Sequence, residues 1–288
     1  MNSSKTLDTL IDDIYSTLDC LSEGENINLS DDLVYDFGEK MKAAIVHWAT
    51  PRTQSKGLRM SNVGKPSRQL WYDLNKGTPD YRHSASTQIK FLYGHILEEL
   101  LLLLVRLADH TVTDEQKEVV VEGITGHMDC KIDGEVVDVK TASGFAFKKF
   151  AQGTLAEQDD FGYMAQLAGY EAHEGTDNGG FLVINKENGE LCLFRPDDMD
   201  KPHIKSKIKG LKKAIKLDTP PEKCYNPIPE GVKGNEKLHR SCTYCPHKFT
   251  CWEDANEGKG LRVFEYSKGP TYFTKVESAP RVKEIFSE

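Results

Sequence analysis

Asp138-Val139-Lys140 places a carboxylate and an ammonium two residues apart, the repeat at which strand side chains share a face, and Asp129 lies a short way upstream. Cleaving a phosphodiester requires that the negative charge of the transition state be neutralised and that a water be held in line with the leaving oxygen. Carboxylates that bind a hard divalent cation serve both needs; magnesium typically uses one or two such ligands with water and substrate phosphate. A lysine beside them can orient or deprotonate the attacking water and offset charge on the phosphate. The residue types suit that task, and the alternative is a plain ion pair between strands.

A second group is sulfur-rich. Of seven cysteines, Cys20, Cys130 and Cys192 stand alone, while Cys224, Cys242, Cys245 and Cys251 crowd toward the C-terminus. In a cytosolic chain such clustering points to a metal or iron–sulfur site more than to disulfides. Four cysteine thiolates suit either a [4Fe-4S] cluster or tetrahedral zinc, and spacing alone does not separate the two. Residues 218–260 are rich in Pro, Gly, Lys and Glu and poor in periodic apolar positions. A bound centre would supply order that this segment's own burial cannot.

Periodicity shows which elements must hold these groups. Leu7, Leu10, Ile11, Ile14 and Leu18 recur at helical spacing, and a second helix is expected from Asp31 to Trp48. Pro51 and the stretch after it break the pattern. Gln88 to His110 reads as a helix apolar on most faces, which suits burial against a sheet and makes its acidic pair, Glu98 and Glu99, anomalous. A strand from Glu118 to Glu122 precedes two runs, His127 to Ile132 and Glu135 to Thr141, joined by Asp133-Gly134, whose residues tolerate the positive φ of a type I′ hairpin turn. That hairpin sets Asp129 on the strand next to Asp138 and Lys140. A helix is expected from Glu157 to His173, then a hairpin, Gly180 to Ile184 and Glu190 to Arg195, turning at Asn188-Gly189. The order is that of a mixed α/β domain.

The chain has 288 residues, 38% of them hydrophobic and 28% charged, which is the composition of a folded globular protein. Its longest apolar run, Leu100 to Val105, is far short of a membrane span, and MNSSKTLDTLIDD lacks a secretory signal's apolar stretch, so the expected location is the cytoplasm, with no membrane partner. The net charge of -8 argues against indiscriminate coating of nucleic acid but not against local docking of a phosphate backbone. Seven lysines fall between Lys201 and Lys216 around Ile204, Ile208, Leu211 and Ile215, a helix with a basic outer face that is either simply solvated or phosphate-binding. No P-loop occurs, so any unwinding would belong to a partner.

Asp129 followed by Asp138-Val139-Lys140 resembles the PD-(D/E)XK nuclease signature in its G-x-x-D … D-x-K form. Three further segments match in order. Gly94-His-Ile-Leu-Glu98 resembles the G-x-x-x-E element of lambda-exonuclease-like and RecB-like members, and Gln166-Leu-Ala-Gly-Tyr170 resembles their Q-x-x-x-Y element, with both named residues on one helix face. Arg59-Met-Ser61 and Ser67-Arg68-Gln-Leu-Trp-Tyr72 resemble the segment that precedes the nuclease core in RecB-like members. The spacing Cys242-x2-Cys245-x5-Cys251 is similar to the C-terminal trio of iron–sulfur RecB-like nucleases, the CRISPR-associated ones included. Pro66 and Ser67 stand where those proteins carry a first cysteine, which leaves Cys224 as the best fourth ligand, with His239 and His247 behind it.

The resemblance implies a PD-(D/E)XK core, a mixed central sheet flanked by helices, over residues 57–217, with a helical region at 1–56 and a cysteine-cluster segment and tail at 218–288. It implies that Glu98, Asp129 and Asp138, with the Val139 carbonyl, bind Mg2+ or Mn2+ and that Lys140 orients the water. Gln166 and Tyr170 would support the site or the DNA, and Ser61 and Arg68 would grip a phosphate. The expected activity is a DNA exonuclease, working in recombination, replication or DNA degradation beside a recombination or single-strand annealing protein. The alternatives are a structure- or sequence-specific endonuclease and a catalytically silent DNA-binding subunit.

Overall fold

The computed structural model describes residues 5–50, 57–77 and 84–285, so the expected break at Pro51 lies outside the described residues. In chain order the longer helices are α1 (Leu10–Ser22), α2 (Asp31–Ala49), α3 (Ser67–Asn75), α4 (Ala85–Leu107), α5 (Gly144–Ala151), α6 (Tyr163–Glu174) and α7 (Ile204–Ala214). The strands are β1 (Val112–Thr113), β2 (Glu118–Val121), β3 (Ile124–His127), β4 (Cys130–Ile132), β5 (Glu135–Ala142), β6 (Gly180–Asn185) and β7 (Leu191–Phe194), then β8 (Ile228–Glu230), β9 (Asn235–Lys237), β10 (Arg262–Tyr266), β11 (Gly269–Lys275) and β12 (Glu284–Ile285).

The chain divides into two compact units, Met1–Gly64 with His83–Lys209, and Lys65–Arg82 with Gly210–Glu288. This differs from three consecutive segments. The N-terminal helix belongs with the sheet because Leu7, Leu10 and Ile14 are buried in one core with Leu101 and Val105 of α4 and Val137, Val139, Leu182 and Ile184 of the sheet. His110, fully buried, bridges Asp13 of α1 (3.1 Å) and Asp133 (2.6 Å) and fastens the same helix.

The first unit is built on a mixed five-stranded sheet ordered β1-β4-β5-β6-β7. Strands β5 and β6 run parallel, with Asp138 opposite Phe181 and Lys140 opposite Val183, and the other neighbours are antiparallel. Asp133 (φ 50°) and Gly134 (φ 87°) make the turn between β4 and β5, both left-handed as a type I′ turn requires. On one face α1 and α4 pack against the apolar residues of the sheet. On the other, Phe150 of α5 meets Phe181 and Phe194, with ring centroids 5.6 and 6.2 Å apart.

Two expected boundaries shift for local reasons. The run His127–Ile132 is not one strand: β3 pairs with β2 as a separate hairpin and β4 pairs with β5, so Met128 and Asp129 form the crossing between them. The helix expected from Glu157 begins only at Tyr163, because Gly162 is left-handed (φ 77°) and Asp159 caps the N–H groups of Gly162, Tyr163 and Met164 at 2.8–2.9 Å. Gly162 also lies against Gly64, where a Cβ on either would come within 2.2 Å of the other's backbone.

The second unit holds an antiparallel sheet ordered β12-β10-β11-β9-β8, which the sequence reading did not anticipate. Its small core joins Leu238, Trp252, Ala255 and Leu261 with partly buried Cys242, Cys251 and Tyr272. The expected basic helix is α7, with Ile204, Ile208 and Leu211 buried and Lys205, Lys209 and Lys213 exposed along it. Among the described residues no helix is long and apolar enough to cross a membrane.

Candidate active site

Strand β4 stops at Cys130, paired with Val137, so the outer edge of β5 from Asp138 onward has no neighbouring strand. There the Asp129 carboxylate takes the place of a ladder partner and accepts the Val139 N–H at 2.7 Å. The N–H and C=O of one strand residue project to the same side. The Val139 carbonyl therefore also faces this open edge, where the sequence reading needs it.

Asp138 is fully buried, and neither of its carboxylate oxygens has a hydrogen-bond partner of good geometry; its charged contact is an ion pair with Lys140. Burial, together with Asp129, pushes the Asp138 carboxyl up to about 7 despite that lysine. Asp129 is raised as well, by burial first and by Glu98. Burial works to lower the Lys140 ammonium, but Asp138 and Asp129 overrule it and hold the group above its usual range. Lys140 is thus a fixed cation, suited to orienting a water and offsetting phosphate charge, and poorly suited to taking a proton.

Glu98 reaches this edge from α4. It lines a cleft together with Val139 and Lys140, and burial, then Glu99, pushes its carboxyl up to about 7. Glu99 faces elsewhere: its charged neighbours are Lys40, Glu115 and Arg106. Gln116 was not expected in the site. Its side chain donates to Glu98 at 3.0 Å while its backbone N–H donates to the Asp129 carbonyl at 3.0 Å, from a left-handed backbone (φ 50°). Nothing in its sequence context signals that role.

Helix α6 closes the site from the other face. Tyr170 is 1% exposed and accepts a 2.6 Å hydrogen bond from Gln166; its hydroxyl is raised by burial and by Asp138 and Asp129 beside it. Tyr170 is thus part of the core, with half-buried Gln166 bonded to its hydroxyl. Tyr163, also missed, lies with its ring 5.1 Å from the Lys140 ammonium and stacks on the exposed Phe161 at 5.4 Å. Met60, fully buried, wedges between β3 and α6, where Gly126 and Gly169 leave it room, and this anchors the turn bearing exposed Ser61.

The donor set of three carboxylates, two of whose oxygens are buried without hydrogen bonds, fits a hard divalent cation. Yet among the described residues no three His, Cys, Asp or Glu side chains are gathered closely enough to hold a metal ion. Asp129, Asp138 and Glu98 are engaged instead with Val139, Lys140 and Gln116.

In the second unit Cys224, Cys242, Cys245 and Cys251 line one cavity with Tyr72, His247 and Arg68. Burial, then the three neighbouring thiols, pushes Cys242 up to about 12. Arg68 is engaged here, donating to Cys251 Sγ at 3.1 Å and to the Pro221 carbonyl. His247 is held by Asp73 at 2.7 Å, and His239 stacks on Tyr225 at 4.6 Å.

The chain matches no protein-family model and no curated protein. Its structure is similar to the crystal structure of SSO0001, at 12% identity over 73% of this chain and 93% of that one, with a TM-score of 0.38. It is also similar to an alkaline exonuclease (LHK-Exo) from Laribacter hongkongensis, at 13% identity over 65% and 92% of the two chains, with a TM-score of 0.37. The complex of LHK-Exo with dAMP gives 13%, 52%, 79% and 0.32.

Proposed function

We propose that the protein is a divalent-metal-dependent deoxyribonuclease, acting as an exonuclease. The observation that carries this reading is the buried Asp138 carboxylate, ion-paired with Lys140 but without a hydrogen bond of good geometry at either oxygen, and set beside Asp129 and Glu98 at an open strand edge. Assembling like charges out of water is unfavourable unless a cation joins them. Glu98, Asp129, Asp138 and the Val139 carbonyl would hold Mg2+ or Mn2+, which supplies Lewis-acid neutralisation of the phosphodiester charge. Lys140 keeps its proton, holds the water by hydrogen bonding and offsets charge on the phosphate, while Gln116 and Asp129's bond to Val139 fix the acidic side chains. The resemblance to lambda-exonuclease-like members favours an exonuclease over an endonuclease.

The same reading assigns Cys224, Cys242, Cys245 and Cys251 to one metal centre, a [4Fe-4S] cluster ahead of zinc, that orders the second unit. Their shared cavity and the packing of Cys242 and Cys251 on the unit's small core support this, and a bound centre would have to draw the thiols together, since among the described residues no three such side chains are gathered at ligating distance.

Purified protein with magnesium or manganese on linear, nicked and covalently closed DNA tests the activity. Loss of linear DNA alone is expected. Cutting of closed circles would mean an endonuclease, and no cutting with any substrate would leave a binding subunit.

A further inference from the structure

Between Lys201 and Lys216 the chain carries seven lysines and no acidic residue, in a protein whose acids outnumber its bases 45 to 37. In α7 the helical turn sets Lys205, Lys209 and Lys213 in one row, about 6 Å apart along the axis. Lys216 extends the row, because helical bonding runs on past Ala214, with the Ile215 N–H donating to the Leu211 carbonyl at 3.0 Å. All four lysines are exposed.

Like charges three or four residues apart repel and weaken a helix. A face built only to be solvated relieves this by interleaving acids, and this one has none. Elsewhere the chain pairs its lysines: Lys40 with Asp36 and Glu115, Lys117 and Lys131 with Glu174, Lys223 with Asp254. Within the row Lys209 meets Glu122 at 3.6 Å, and Lys205, Lys213 and Lys216 meet no acid among the described residues.

The buried side of the helix limits what the row can serve. Ile204, Ile208 and Leu211 are committed to the interior, so α7 has no apolar face left to lay into lipid or into a partner's groove. The row holds no aromatic ring on which a base could stack. What remains is a line of cations on flexible stems facing water, and its complement is a line of anions. The charge of the chain is divided to match: residues 201–288 hold 18 Lys and Arg against 11 Asp and Glu, and residues 1–200 hold 19 against 34.

We propose that the row of Lys205, Lys209, Lys213 and Lys216 docks the phosphate backbone of DNA without reading its sequence. This rests on the nuclease reading above for the identity of the polyanion, but docking can be measured without cleavage.

The probe is a fluorescein-labelled duplex of about 20 base pairs, longer than the row at roughly 3.4 Å per pair, followed by anisotropy over a series of salt concentrations. EDTA keeps any cation at the carboxylates out of the measurement. The row variant combines Lys205→Gln, Lys209→Gln and Lys213→Gln; the control combines Lys42→Gln, Lys268→Gln and Lys283→Gln, which removes the same charge from exposed positions elsewhere. Each lysine on a phosphate adds about one to the slope of log affinity against log salt, so the row variant should lose about three. It should also bind at least roughly tenfold more weakly at about 50 mM salt, equally on unrelated sequences, while the control keeps the wild-type slope. The row variant should melt no lower than wild type, since three repelling charges are gone. An unchanged slope in the row variant, or an equal loss in the control, would overturn the docking row even if wild type cleaves DNA. Wild type without affinity for DNA in EDTA would overturn it as well, and binding to phosphatidylglycerol vesicles in its place would assign the row to a lipid surface. If the row variant loses binding as expected while wild type cleaves no DNA in manganese, the row stands and the nuclease reading fails.

Discussion

Glu98→Gln separates the stability of the site from its chemistry. The Glu98 carboxyl rises from an ordinary 4.5 to about 7. At about 1.36 kcal/mol per pH unit, ionising it in the metal-free fold costs roughly 3 kcal/mol, and about 1–2 after allowance for solvent screening of a half-buried group. The raised value fixes the sign. Stability tied to this proton is fully present below pH 4.5 and is lost as pH rises through about 7. Glutamine keeps an oxygen for Gln116 but cannot ionise. Metal-free Glu98→Gln protein should therefore melt several degrees above wild type at pH 8, with the gap closing toward pH 4.5. In manganese the order should reverse, since the variant lacks a ligand charge, and cleavage should fall at least about 10²-fold. Calorimetry across pH with and without manganese, beside a cleavage assay, measures each effect. Refutation would be a metal-free variant less stable than wild type at pH 8 that still cleaves DNA, for then Glu98 only anchors Gln116.

Because Glu98 and Asp138 both sit at about 7, manganese must displace protons below that pH; its affinity by titration calorimetry should climb from pH 5.5 to about 7 and flatten above. A flat profile would count against both as ligands. Lys140→Ala should abolish cleavage while manganese still binds, and retained cleavage with normal melting would remove Lys140 from the chemistry. Protein purified without oxygen should be brown with about four irons per chain, and Cys245→Ser should lose colour and solubility together. Colourless protein with one zinc would replace the cluster and keep the structural role, whereas stable, active protein with neither metal would end the assignment.

The strand bearing Asp138 and Lys140 was legible because period-two alternation and an Asp-Gly turn are local: Val137 and Val139 enter the core while Asp138 and Lys140 turn to the opposite face. Helix α4 was legible because it is apolar on most faces over many residues. The position of Asp129 was only half legible. Its crossing between two hairpins depends on β2 pairing with β3, and two short adjacent strands look like one long one in sequence. Gln116 and Tyr163 reach the site through chain reversals, one a left-handed residue in a loop and the other a helix start set by Gly162 and Asp159. The C-terminal sheet went unseen because its strands are short and its partners distant, Leu238 packing with Trp252 and Leu261.

The unpaired edge of β5 also bears on how the protein behaves among its own copies. A bare strand edge is a template on which another chain can add a strand. Here Asp129 occupies the Val139 N–H, and Glu98 and Lys140 crowd the same rim with charge that an incoming backbone would have to bury. The acidic residues thus guard solubility, whatever they contribute to the proposed reaction. Asp129→Ala would free the Val139 N–H and should make the protein prone to self-association, whereas asparagine, which still offers an oxygen, is the safer replacement.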